Sequence, residues 1–229
     1  MAIVLSLETS TTVTSAALHE NGKLLVGREL HLKQAAAAQL TILIDQLFTS
    51  SGIGRTQLDA VAVSGGPGSY TGLRIGTATA KGICYSLDRP LIALDSLHVL
   101  ASSIPLQHDG RLLCPMIDAR RMEVFTILYD INLTERSSAQ SMILETNSFS
   151  SLLLSDKILF CGGGSKKLQN IISYDNAIFN FNDYTAKHLA QLSYNCFLKS
   201  EFSNLAYTAP LYIKEFYTLP QDLVKKSVI

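Results

Sequence analysis

The order strand–strand–strand–helix–strand–helix is legible twice along this sequence, and that repetition restricts the fold more than any other feature. Each unit has a sheet face and helix stripes to bury. Two such units stack as mixed sheets with helices outside and a cleft between them. The first unit opens with Ile3 to Leu7, a short branched apolar run suited to a buried central strand. After the polar loop Glu8 to Thr12, Val13 to Leu18 reads as a second strand. Asn21-Gly22 marks a tight hairpin, because both residues accept positive φ. Leu24 to Leu30 returns as the third strand. Gln34 to Phe48 is predicted helical, with Ala36, Leu40, Leu43, Ile44 and Leu47 on one stripe and Gly52 and Gly54 ending it. Leu58 to Ser64 is a buried strand. The next helix carries Leu73, Gly76, Ala80, Ile83, Cys84 and Leu87 inward. A short strand, Leu91 to Leu94, precedes a third helix that Ser96 would cap and that ends near Ser103.

The second unit follows the same order in reduced form. Strands are predicted at Leu112 to Ile117, Glu123 to Tyr129, Ser141 to Leu144 and Ile158 to Phe160, with helices at Ser148 to Leu154 and Ser165 to Ile172. A late helix, Ala186 to Lys199, is expected to pack back on the first half. The boundary falls in Ile104 to Gly110, dividing the chain into 1–103 and 104–229.

Composition excludes several classes. With 47% hydrophobic and 17% charged residues among 229, the chain has ample material for a core. Lys plus Arg equals Asp plus Glu, 19 each, so the basic excess of a protein that holds nucleic acid by itself is missing. Cys84, Cys114, Cys161 and Cys196 are widely spaced and sit in apolar runs, as reduced, mostly buried thiols do. No apolar run approaches the roughly 20 residues of a membrane span, and the start lacks a signal-peptide pattern. A cytoplasmic protein is expected. Among His19, His31, His98, His108 and His188, no pair has the spacing of metal ligands on one helical face. No Gly-x-Ser-x-Gly elbow occurs. Neither a catalytic residue nor a metal ligand is assigned.

The run Ser64 to Gly76, "SGGPGSYTGLRIG", is the sharpest chemical signal. Gly66 and Gly68 flank Pro67 and give a bent loop whose backbone can be approached closely, and the helix that follows directs free N–H groups toward it. Gly66, Gly68, Ser69, Tyr70, Thr71, Gly72 and Arg74, with Glu8, Thr9 and Ser10 of the first loop, are therefore candidates for a phosphate or partner site. A tight turn of small residues that lets strand, helix and a neighbour pack closely accounts for the same residues. The run is not a Walker A loop, because no Lys-Ser/Thr ends it, and it is a poor dinucleotide fingerprint, because Thr71 stands where the last glycine belongs. Asp118, Arg120, Arg121 and Glu123 form a charged hairpin that reads as a solvated turn with local ion pairs.

This run resembles the G-P-G-S-F-T-G-L-R-I-G signature of the TsaB (YeaZ) family, with Tyr70 in place of Phe. "LSLETST", "AKGICYSLDRPLIALDSLHVLA", "IDARRMEVFTILYD" and "APLYIKEF" resemble further family segments in the same order. The resemblance implies an α/β fold of the actin-like, Hsp70-like duplicated (ASKHA) type, with two βββαβα halves. It also implies a non-catalytic subunit that pairs with the threonylcarbamoyltransferase TsaD and works with the ATPase TsaE. The product would be a modified adenosine beside the tRNA anticodon, with tRNA held through the complex and ATP or ADP at the complex interface. Glu8 stands where the family usually has Asp, so a nucleotide site formed by this chain alone is not expected. Ala37, Leu40, Thr41, Ile44, Ile75 and Thr79 are the candidate interface residues. They lie on two helices that are apolar on more than one side, since Ile42 and Phe48 fall off the inward stripe. An independent enzyme of the same fold, a kinase or peptidase-like hydrolase, is the rival expectation. A self-associating nucleotide-binding module, homodimeric when alone, is another.

Overall fold

The computed structural model describes residues 1–31, 36–105 and 109–214. Its first sheet contains β1 (Ile3–Glu8), β2 (Thr14–Glu20), β3 (Lys23–Leu30), β4 (Ala60–Gly66) and β5 (Leu91–Asp95). The second contains β6 (Leu112–Asp118), β7 (Glu123–Thr126), β8 (Gln140–Ile143), β9 (Ile158–Cys161) and β10 (Ala177–Asn180). The spatial orders are β3-β2-β1-β4-β5 and β8-β7-β6-β9-β10. In each sheet the first three strands form an antiparallel meander and the last two run parallel to the first. The duplication read in the sequence is thus a duplicated topology, the actin-like arrangement. The second copy is reduced to mostly four-residue strands, with helices α4 (Ser150–Leu153) and α5 (Ser165–Gln169) of four and five residues.

Local chemistry accounts for the elements. β1 is buried at every position, Ser6 and Glu8 included, as a central strand covered on both faces is. Asn21 and Gly22 take φ of 48° and 76° and close the β2–β3 hairpin. Helix α1 (Ala36–Ser51) buries Ala36, Leu40, Leu43, Ile44, Leu47 and Phe48; Gln34 and Ala35, expected in it, lie outside the described residues. Helix α2 (Tyr70–Leu87) starts three residues earlier than the apolar stripe suggested, because Ser69 caps it by accepting the Gly72 N–H at 3.3 Å. Helix α3 (Ser96–Ser102) is capped by Asp95 rather than Ser96: the Asp95 carboxylate accepts the His98 N–H at 2.8 Å. Ser96 is the first helical residue and its hydroxyl accepts the Gly66 N–H instead.

Three cores result. Helices α1 and α2 cover one face of the first sheet, closing over Leu5, Leu7, Leu18, Val61 and Val63. The opposite face packs Val4, Ala60, Ala62 and Ile92 against α3 and, beyond it, against Leu113, Ile117, Leu159 and Tyr184 of the second half. Helices α4 and α5 cover the far face of the second sheet over Cys114, Met116 and Phe160. The late helix is a 3-10 turn, Ala186–Leu189, running into α6 (Ala190–Leu198), and both segments pack against β1, with β2 under the turn and β5 under α6. β10 lies where the sequence pattern predicts no strand, and β7 ends at Thr126, short of the predicted Tyr129.

Candidate functional site

Three loops of the sequence meet where β1 and β4 end. The loop after β1 brings Glu8, Thr9 and Ser10, the loop after β4 brings Gly66 to Ser69, and the segment after β10 brings Asp183 and Tyr184. The Glu8 side chain is wholly buried. It accepts the Ser10 N–H at 2.5 Å, the Ser10 hydroxyl at 2.6 Å and the Ser64 hydroxyl. Burial pushes its carboxyl above the usual carboxylate range, against the pull of these donors. The Tyr184 hydroxyl lies 2.6 Å from Ser10 Oγ, and burial together with the Glu8 charge pushes that phenol well up.

The glycine loop packs directly on this turn. A Cβ on Gly68 would stand 2.5 Å from the Ser10 carbonyl oxygen, and one on Gly72 would overlap the Thr9 carbonyl oxygen. The Ser69 N–H donates to Ser10 O at 2.7 Å, and the Thr9 hydroxyl donates to Gly72 O at 2.7 Å. The space in front of Gly68 and Gly72 is filled by the chain itself, and the N–H groups of Ser69, Gly72 and Leu73 are already engaged. Of the two readings of this loop, the geometry favours the close-packed turn.

The remaining loop candidates face outward, under a tail. The Leu211 N–H donates to Gly65 O at 2.7 Å beside Gly66, whose peptide bond to Pro67 is cis. Tyr212 stacks on Tyr70 with ring centres 4.9 Å apart and accepts from Arg74 Nε at 3.1 Å; the Arg74 guanidinium lies over the Tyr70 ring at 4.1 Å. Lys81 donates to the carbonyls of Ala206 and Thr208, and Lys214 pairs with Glu123 in the second half. Thr71 is exposed. No local pattern marks this tail contact beyond the "APLY" segment, and none marks Tyr184, which sits far along the chain from its partners.

The interface candidates divide. Ala37 and Thr41 are exposed, and Ile75 and Thr79 half-buried. Leu40 and Ile44 are corrected: both are buried in the first core, 1% and 7% exposed, because they sit on the stripe facing β2 and β3. Phe48 is buried with them, while Ile42 is 47% exposed. In the charged hairpin, Asp118 pairs with Lys167 at 2.7 Å and Glu123 with Lys214. Arg120 and Arg121 sit at positive φ, 71° and 48°. His19 is buried against Ser6, His188 accepts the Thr185 N–H, and His108 lies outside the described residues. Three cysteines are buried and Cys196 is partly so. Among the described residues no group of three or more His, Cys, Asp or Glu side chains could hold a metal ion, and no helix is long and apolar enough to cross a membrane.

Residues 31–220 match the family model described as "TsaD: tRNA N6-adenosine threonylcarbamoyltransferase". The tRNA threonylcarbamoyladenosine biosynthesis protein TsaB of Haemophilus influenzae is 34% identical over 126 residues, 53% of this chain and 51% of that protein. TsaB of Bacillus subtilis is 33% identical over 126 residues, 55% and 54% of the two chains. The chain spans about half the length of the curated relatives it matches. Over a longer stretch, YeaZ of Pseudomonas aeruginosa has the same fold, with a TM-score of 0.78, 23% identity, and coverage of 93% of this chain and 100% of that one. These sequence matches place the chain in the TsaB (YeaZ) family, within the wider group that the TsaD family model describes.

Proposed function

We propose that this chain is a non-catalytic, cytoplasmic partner subunit that binds and activates TsaD in tRNA threonylcarbamoyladenosine biosynthesis. The observation that carries the reading is the outer face of α1 and α2. Ala37, Ala38, Thr41 and Ile42 are exposed on α1, and Thr71, Ala78 and Gly82 on α2, with Ile75 and Thr79 between them. A Cβ on Gly82 would meet nothing within 4 Å. Such small, weakly polar helix faces admit another helix at close range, near the ~8 Å end of the usual interaxial distances. The names of the relatives supply the pathway, and the family model supplies the kind of enzyme that would sit on this face. Activation would then come from contacts made only with the competent state of TsaD, since a partner shifts populations only through differential contacts.

In this reading tRNA is held mainly by other subunits, in keeping with the balanced charge. ATP or ADP and the ATPase TsaE would act at the complex rather than in the loop cleft of this chain, whose glycine loop is already filled by Thr9 and Ser10. Without TsaD the same face would pair two copies of the chain. The test is Ala37→Glu combined with Ile75→Glu. The variant should keep the parent's circular dichroism and fail to co-elute with TsaD on gel filtration, because an unpaired charge buried at an interface costs about 3–5 kcal/mol. A tRNA modification assay with TsaD should lose activity with that variant. Normal pairing by the folded variant would place the interface elsewhere.

A further inference from the structure

The connection from the second half back to the first is bonded at four consecutive residues. Thr12 Oγ1 donates to Asp183 Oδ2 at 3.4 Å, and Tyr184 OH meets Ser10 Oγ at 2.6 Å. Thr185 Oγ1 donates to Glu29 Oε1 at 2.8 Å, and the Ala186 N–H donates to Ser15 Oγ at 2.9 Å. The four partners come from the β1–β2 loop, β2 and β3, all in the first half. Asp183 also accepts the Gly163 N–H at 2.8 Å, so the same carboxylate grips the second half beyond β9. At the centre, Tyr184 and Ser10 are 0% and 1% exposed, and Ser10 passes the connection to the buried Glu8. Two domains joined by a crossing segment normally hinge there, through a few loop residues that absorb the dihedral change. Here the crossing is a hydrogen-bonded run, buried from Tyr184 to Ala186, and any opening would break the Tyr184–Ser10 bond and bare the buried Glu8.

We infer that the Tyr184–Ser10–Glu8 network is a lock on the hinge, which fixes the two halves at one angle with the chain's own side chains and no ligand. This goes beyond the pairing reading and does not depend on it. The lock is tested by pulsed electron–electron spin distances between labels at Gln46 on α1 and at Ser151 on α4, both exposed. The background is Cys196→Ser, since the other three cysteines are buried. The parent should give one narrow distance distribution. Tyr184→Phe and Ser10→Ala should each broaden it, and Tyr184→Phe should speed amide exchange at Ser10 about tenfold or more as the site opens locally. Thr9→Val removes a hydrogen bond, Thr9 Oγ1 to Gly72 O, that lies wholly within the first half. It should leave the distribution narrow. Broadening in either folded crossing variant, with Thr9→Val unchanged, supports the lock. Parent-like distributions in both crossing variants, or equal broadening by Thr9→Val, would overturn it.

Discussion

Substituting Gly72 by Ala isolates the contact between the two N-terminal loops. The added Cβ would overlap the Thr9 carbonyl oxygen, a backbone atom anchored by its neighbours. Either β1's end or the first turn of α2 must move. That motion also stretches the bond from the Thr9 hydroxyl to Gly72 O, now 2.7 Å. Overpacking of a close-packed site costs about 1–3 kcal/mol. The weakened hydrogen bond adds about 0.5–1.5 kcal/mol. Alanine returns less than the ~1 kcal/mol of interior helix propensity, because Gly72 lies in the first turn. The net expectation is a loss of about 2 kcal/mol, which for a chain of this size lowers Tm by about 4–8 °C. Gly82→Ala in the same helix is the matched control, since its Cβ enters open space. It should raise stability by about 0.5–1 kcal/mol. Differential scanning calorimetry of the two variants reads both signs. A Gly72→Ala protein that melts at or above the parent would show that the loops can separate freely, and the close-packing argument would fail.

Further outcomes follow from single residues. His19 is buried with its Nε2 lacking a partner, and burial lowers its imidazole to about 4. The unfolded chain binds a proton at this residue near pH 6.5 and the native chain only near 4, so stability should fall by about 3 kcal/mol as pH drops through that window. Urea titrations at several pH values should show the slope, and His19→Gln should flatten it. Arg120 is exposed, sits at φ 71° and donates its backbone N–H to Asp118 Oδ1. Arg120→Gly keeps that bond and relieves about 1 kcal/mol of left-handed strain, so thermal melting should rise. Lys81→Ala removes both donors to the carbonyls of Ala206 and Thr208. Amide exchange across 203–212 should quicken while the global melting temperature stays within about 1 °C, as expected of a local opening; a large fall would mean that the tail is part of the global core.

The elements with a strong period were readable because one face of each is buried. The stripe of α1 and the run of β1 appear in the cores where the spacing put them. What failed lies where several apolar positions compete or where the partner is distant. Leu40 and Ile44 invite assignment to an outer face because α1 has more apolar positions than one stripe needs, yet the surplus left outside is Ile42. Ala177–Asn180 is only four residues, half-buried throughout, and carries no alternation that marks a strand without its neighbour β9. The cap of α3 moved by one residue because Asp95 and Ser96 are both good caps and only the fold selects between them. Glu8 was legible as a departure from the family, but its enclosure depends on Tyr184, 174 residues from Ser10, and no local pattern encodes that.

The packing of residues beyond Tyr184 onto the first sheet has a consequence for synthesis. The face of that sheet carrying Val4, Ala60 and Ile92 is finished by Leu189 and its neighbours in space. On the ribosome the first half emerges long before that cover. At ~5–20 residues per second the nascent chain waits several seconds with the face incomplete. During translation the first half thus waits with that face covered by α3 alone. Its uncovered apolar strands are the surface a chaperone would meet, and a stall ahead of Ala186 would leave them open to aggregation.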